Sequence, residues 1–291
     1  MPSLKEVRVR IDSVKSTQQI TSAMKMVAAS KLRKAQNAIL KLRPYASKLN
    51  EILQNLSASL DNSDGIYSED RGSEKVLMIV IASNRGLCGA FNANVIKDAN
   101  RIIAEKYPEQ NEAGNVSIYC IGKKIVDFYK SKDYKVEGTN VEIFDDLTFE
   151  NTVPLAEQIM NDFVEKKFDR IELVYNQFKN AATQVLINEQ FLPIEESEEA
   201  GGSFAVDYIF EPSKEQIVEE LIPKSLKIQF YKALLDSFAS EHGARMTAMH
   251  KATDNAEDLI NDLQLKYNKA RQAAITNEIL EIVSGAEALK G

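Results

Sequence analysis

Apolar residues recur at steps of three and four through the first 60 residues. The series runs Leu4, Val7, Ile11, Val14, Gln18, Thr21, Lys25, Ala28, Leu32, Ala35, Ile39, Leu42, Ala46, Leu49, Leu53, Leu56 and Leu60. Fourteen of these 17 positions are apolar, which makes the series a heptad seam rather than the short stripe of a globular helix. The segment has no glycine, and its one interior proline, Pro44, bends rather than ends so sustained a pattern. A helix of this length spans about 85 Å and needs a partner along much of it, because its stripe cannot be buried on itself. A second stripe near the other terminus supplies a candidate. It runs Met249, Ala252, Ala256, Leu259, Leu263, Tyr267, Ala270, Ala274, then shifts by one residue to Ile275, Ile279, Ile282, Ala286 and Leu289, within a helical segment from about Glu215. Two seams at opposite termini with a domain between them predict an antiparallel coiled coil, and the alanines on the second allow close approach of the axes.

Between the seams, Asp61–Glu74 is polar and turn-rich, the composition of a linker. The middle then alternates. Strands are predicted at Val76–Ser83, Val116–Ile121, Val141–Phe144, Ile171–Phe178, Gln184–Leu192 and Phe204–Phe210. Helices are predicted at Asn94–Tyr107, Lys123–Lys132 and Val153–Lys167, and Glu195–Ser203 reads as an acidic surface loop. That order predicts a mostly parallel sheet covered by helices, with its last strands antiparallel. The domains follow: a helix over 1–60, an α/β domain over 74–210 and a helix over 211–291.

Charge sharpens the picture. Residues 1–50 carry 11 Lys and Arg against Glu6 and Asp12, a net +9, which leaves −16 on the other 241 residues. A basic first segment on an acidic body implies an anionic partner: nucleic acid, a membrane surface or an acidic protein. No apolar run is long enough to span a bilayer, and the first residues lack the pattern of a secretory or transit signal. Cys88 and Cys120 lie 32 apart, outside any zinc or redox spacing.

Catalytic chemistry finds little support. The two histidines, His242 and His250, are eight apart on the last helix and read as helix-surface or interface residues. The most motif-like stretch, Ser83-Asn84-Arg85-Gly86-Leu87-Cys88-Gly89, follows the first strand, where ligands bind in open α/β sheets. Its glycines would serve an anion cradle or simply a tight turn, and the missing Lys-Ser/Thr pair makes nucleotide binding the weaker of the two. The polar break in the first seam is more informative. Gln18, Thr21 and Lys25 either set register at a cost in stability, or mark a stretch where the helix faces something beyond its partner, with Met24 and Met26 as adaptable contacts.

Several segments resemble the gamma subunit of F-type ATP synthases of the bacterial type: Thr17–Ala35, Ser83–Gly89, Ala244–Met249, Ala252–Ala256, Tyr267–Ile279 and Ile282–Ala286. The resemblance implies an α/β fold class, with a long antiparallel coiled coil of N- and C-terminal helices and a central Rossmann-like α/β domain. It also implies a non-catalytic rotor subunit with no catalytic, cofactor-binding or metal residues. Its partners would be the alpha and beta subunits, the epsilon subunit and the c-subunit ring, and it would sit peripherally on the cytoplasmic side of the bacterial cell membrane. Met24, Lys25, Arg271, Gln272 and Thr276 match positions that meet the beta subunit, and Tyr208 and Glu211 match the foot near the c ring and epsilon. Two residues depart from the family pattern: Ala90 stands where many relatives have glycine, and Gly243 lies inside the last helix. The alternative from another class is a basic coiled-coil protein that binds nucleic acid through residues 1–50. A nucleotide-binding enzyme built on the middle domain is a third reading.

Overall fold

The computed structural model of the chain describes residues 3–57, 66–132, 134–194 and 214–288. The expected strand at 204–210, the acidic segment at 195–203 and part of the linker lie outside the described residues. The chain divides into two compact units, residues 1–28 with 246–291, and residues 29–245.

Two helices dominate. α1 runs Leu4–Ser57 and α6 runs Lys214–Ala288. α1 opens on a reciprocal capping pair: Glu6 N–H donates to Ser3 Oγ at 3.2 Å, and Ser3 N–H donates to the Glu6 carboxylate at 3.0 Å. Both helices continue through a proline, Pro44 in α1 and Pro223 in α6. Buried apolar residues flank each proline, Ile39 and Leu49 in one case and Leu226 in the other, and their packing offsets the lost backbone hydrogen bond.

The larger unit holds a five-stranded sheet. β1 (Val76–Ile81), β2 (Val116–Ile121), β3 (Lys135–Asn140) and β4 (Arg170–Phe178) are parallel in the order β3-β2-β1-β4, and β5 (Gln184–Leu192) closes the edge antiparallel to β4. β1 is buried at all six positions, as a central strand covered on both faces must be. Alternation sorts its side chains. Leu77, Ile79 and Ile81 join one core with α5 (Phe149–Val164) and the first part of α6, through Ile159, Phe163, Phe230 and Leu234. Val76, Met78 and Val80 join the other with α2 (Phe91–Lys106) and α4 (Lys123–Tyr129), through Phe91, Val95, Ile103 and Ile125. A short helix, α3 (Pro108–Glu112), follows α2.

The expected strand at Val141–Phe144 is displaced. β3 occupies Lys135–Asn140, and Glu142–Phe144 forms a turn of 3₁₀ helix. Asn140 Oδ1 accepts the Ile143 N–H at 3.1 Å, and both Ile143 and Phe144 turn into the core from that helical turn. The edge strand itself is polar and half-exposed, so its apolar neighbours imitate a strand that the backbone does not make. α2 and α5 begin three and four residues earlier than expected; the hydroxyl of Thr148 caps α5 by accepting the Asn151 N–H at 3.3 Å.

Gly243, which costs helix propensity, has a local purpose. A Cβ there would lie 3.2 Å from Ala181 Cα and 3.3 Å from the Phe178 ring, so α6 approaches the β4–β5 turn more closely than a larger residue permits.

Candidate functional site

In the smaller unit, residues 4–28 of α1 pack antiparallel against α6 from 246 onward. Val7, Ile11 and Leu263 bury one another, with Val14 and Tyr267 beside them. The Thr21 and Thr253 hydroxyls meet at 2.9 Å. These contacts set a register in which each α1 position advances as its α6 partner retreats. Covered residues on α6 include Met249, Thr253, Ala256, Ile260, Leu263, Tyr267, Ala270 and Ala274, an alternation of fours and threes, with Ala252 half-covered beside it.

This corrects the sequence reading at one position and adds another. Ile260 lines the seam in place of Leu259, which is exposed, and Thr253 joins the expected Ala252, both half-covered. The stripe therefore does not drift before Ala274. It also decides the role of Thr21: one hydroxyl donates across to the other, and the second donates to its own helix, to Gln18 O at 3.0 Å from Thr21 or to Met249 O at 2.8 Å from Thr253. A polar pair inside an apolar seam disfavours any slip of register, since a slip would bury each hydroxyl against hydrocarbon.

Two groups of expected site residues lie on this unit, well apart. Met24 and Lys25 are half-covered, while the adjoining Ile20, Met26 and Val27 are exposed. Arg271, Gln272 and Thr276 are all exposed, with Thr276 Oγ1 donating to Gln272 O at 2.9 Å. In the observed register Met24 lies level with residue 250, so the two groups are about 32 Å apart along the shaft. The register also places Leu4 opposite Ala270. Residues 271–288 thus extend about 27 Å past the start of α1, and Ile275, Ile279, Leu280, Ile282 and Val283 on this stretch are 48–71% exposed. Tyr208 and Glu211 lie outside the described residues.

The larger unit explains the motif after β1. Its polar groups are used internally. Ser83 Oγ donates to Arg85 O at 2.7 Å or to Asn92 Oδ1 at 2.8 Å, and Asn92 Nδ2 donates to Cys88 Sγ at 3.2 Å. The carbonyls of Arg85 and Gly86 accept from the Arg245 guanidinium at 2.9 and 3.2 Å. Arg245 is buried and also donates to Glu241 at 2.6 Å. The loop therefore presents acceptors to a cation of its own chain, and the tight-turn reading describes it. Burial pushes the Cys88 thiol up, which keeps it protonated and unreactive. Sequence reasoning missed Arg245 and Glu241; their spacing of four on one helix was the available signal.

His242 is a correction too. It is buried against Phe238, ring centroids 4.5 Å apart, while His250 is exposed beside Asp254. Burial first, then the Arg245 and Lys31 charges, push His242 down to about 3. The unfolded chain takes up this proton near pH 6.5, so between 6.5 and 3 it binds more protons than the folded chain. Stability is complete above pH 6.5 and falls as pH drops, by at most about 1.4 kcal/mol per pH unit. Asp236, pushed up to about 6 by burial, opposes this, because its folded form gains a proton first. We expect His242→Asn to show a shallower loss of unfolding midpoint between pH 6.5 and 4.5 than the unaltered chain, in thermal melts read by circular dichroism. Parallel slopes would contradict the assignment.

Among the described residues no helix is long and apolar enough to cross a membrane, and no group of three His, Cys, Asp or Glu could hold a metal ion. The family model described as ATP synthase matches residues 3–289. Proteins named ATP synthase gamma chain from Christiangramia forsetii and Flavobacterium johnsoniae are each 60% identical over the full length of both chains. Among solved structures, a chain of the Euglena gracilis mitochondrial ATP synthase OSCP/F1/c-ring assembly has a TM-score of 0.69 at 23% identity, covering 98% of this chain and 94% of that one. A chain of the rotor of the same enzyme has a TM-score of 0.65 at 23% identity, covering 94% and 98%. With its paired terminal helices, its α/β sheet and this full-length identity, the chain belongs to the ATP synthase gamma-chain family.

Proposed function

We propose that this chain is the central-stalk rotor of an F-type ATP synthase. It couples rotation of a membrane c ring to conformational change in an alpha/beta ring, so that ATP is made from a proton gradient. The observation that carries the reading is the bare end of α6. Residues 271–288 are a helix with an apolar stripe and no covering element among the described residues, built to turn inside a surrounding protein surface. The chain itself makes and breaks no bond; the alpha and beta subunits do the chemistry. Met24 and Lys25 form one contact with the beta subunit, and Arg271, Gln272 and Thr276 a second. Tyr208 and Glu211 belong to the foot that meets the c ring and the epsilon subunit. Residues 1–60 and 211–291 act as the shaft, and 74–210 as the α/β domain, on the cytoplasmic side of a bacterial membrane. The basic segment 1–50 then meets an acidic protein ring.

Met24→Lys tests the first contact. The half-covered thioether becomes a cation beside Lys25, free to form a charge-assisted bond with a beta carboxylate in one rotary position. A well deepened by about 1.4 kcal/mol slows escape about tenfold when the transition state does not share the bond. Met24→Leu adds no charge and should be nearly silent. ATP hydrolysis and ATP-driven proton pumping, measured on the same vesicles, should fall for Lys and hold for Leu. Equal behaviour of the two variants would contradict a contact at Met24.

A further inference from the structure

Within the larger unit, a cavity of about 730 Å³ opens between α1, the β4–β5 hairpin and α6. Its apolar floor includes Ile39, Leu42 and Phe178, and three cations from three different elements line it: Arg43, Lys179 and Lys232. Among the described residues none of the three lies within ion-pair distance of a carboxylate. Asp236 is the one carboxylate in the lining, and it is buried.

We propose that this cleft binds a phosphate monoester carrying an apolar body. In the lining three cations outnumber one carboxylate, an excess of positive charge that a phosphate ester balances. Arg43 supplies a planar fork suited to phosphate oxygens, and the two lysines supply point charges. The volume lies in the range of pockets that enclose drug-sized ligands, and the apolar floor asks for a body as well as a head. Asp236, although pushed up to about 6 by burial, is mostly ionised at neutral pH. Lys232, the Phe178 backbone N–H and Arg43 hold it down, and Glu189 opposes them. It therefore restrains the charge of the site without cancelling it.

The test is isothermal titration of the full-length chain at pH 7.5 with three probes: octanoyl lysophosphatidate, adenosine 5′-monophosphate and inorganic phosphate. One of the two esters should bind one-to-one and at least tenfold tighter than inorganic phosphate, and which one does so separates a lipid from a nucleotide source. Arg43→Gln with Lys179→Gln, both exposed and leaving Lys232 beside Asp236, should weaken that binding at least tenfold while leaving the thermal melt in place. Asp236→Asn should tighten it several-fold, a gain that loss of fold cannot produce, so this variant decides the matter if the double variant does not fold. Esters no tighter than inorganic phosphate, a folded double variant that binds unchanged, or an Asp236→Asn chain that binds no tighter would each overturn the proposal.

Discussion

Gly122→Ala is expected to cost at least about 3 kcal/mol. Gly122 joins β2 to α4 with φ +103° and ψ 139°, a backbone region essentially reserved for glycine. A Cβ there would stand 2.1 Å from Ala82 O and 2.8 Å from Ala82 C. Those atoms are backbone and cannot rotate away. Ala82 N–H donates to Ile121 O, Gly122 N–H to Asn140 O and Lys124 N–H to Ser83 O, so the ends of β1, β2 and β3 are tied together around this residue. Relief would require breaking one of those ties. Gly285→Ala is the matched control. It sits on exposed α6 with nothing near its missing Cβ, and should hold or gain up to about 1 kcal/mol. Urea unfolding followed by circular dichroism should separate the two variants widely; similar midpoints would show that the turn relaxes freely.

Arg245→Met is expected to cost about 3–5 kcal/mol, because it leaves the buried Glu241 carboxylate without its counter-charge. Burial already pushes Glu241 up despite Arg245, so desolvation outweighs pairing even in the intact chain. The same change strips the Arg85 and Gly86 carbonyls of their donor. Replacing both partners, Arg245→Met with Glu241→Leu, should recover about 2 kcal/mol of that loss, since no buried charge is then left unpaired. The measurement is again the urea midpoint. A double variant less stable than the single one would show that the network matters through its shape rather than its charge.

These residues mark where sequence reasoning succeeds and where it stops. The α1 seam was legible because its period is strict and its interruptions few, and each expected position from Leu4 to Leu49 is covered. The α6 seam was misread at Leu259, beside the buried Ile260, and Thr253 was left out of it because its place is decided by Thr21, 232 residues away. Apolar pattern cannot report a polar residue held by a distant hydroxyl. Arg245 escaped for the same reason, since its partners Arg85 and Gly86 are brought to it only by the sheet. The strand placed at Val141–Phe144 failed locally, where a 3₁₀ turn buries the apolar pair that alternation assigns to a strand. Arg271, Gln272 and Thr276 were named through family motifs alone, and Met24 also through the polar break in the seam. Composition by itself does not single out particular exposed residues on a helix.

The most direct test of the central claim is to watch this chain turn. An exposed position on the α/β domain, such as Lys97→Cys, carries a bead, and the cognate alpha/beta ring is fixed to glass through tagged beta subunits. With ATP added, the account predicts sustained rotation in one direction, stopping when ATP is removed, with hydrolysis reduced in rings assembled without the chain. Full hydrolysis with a bead that only fluctuates would contradict it.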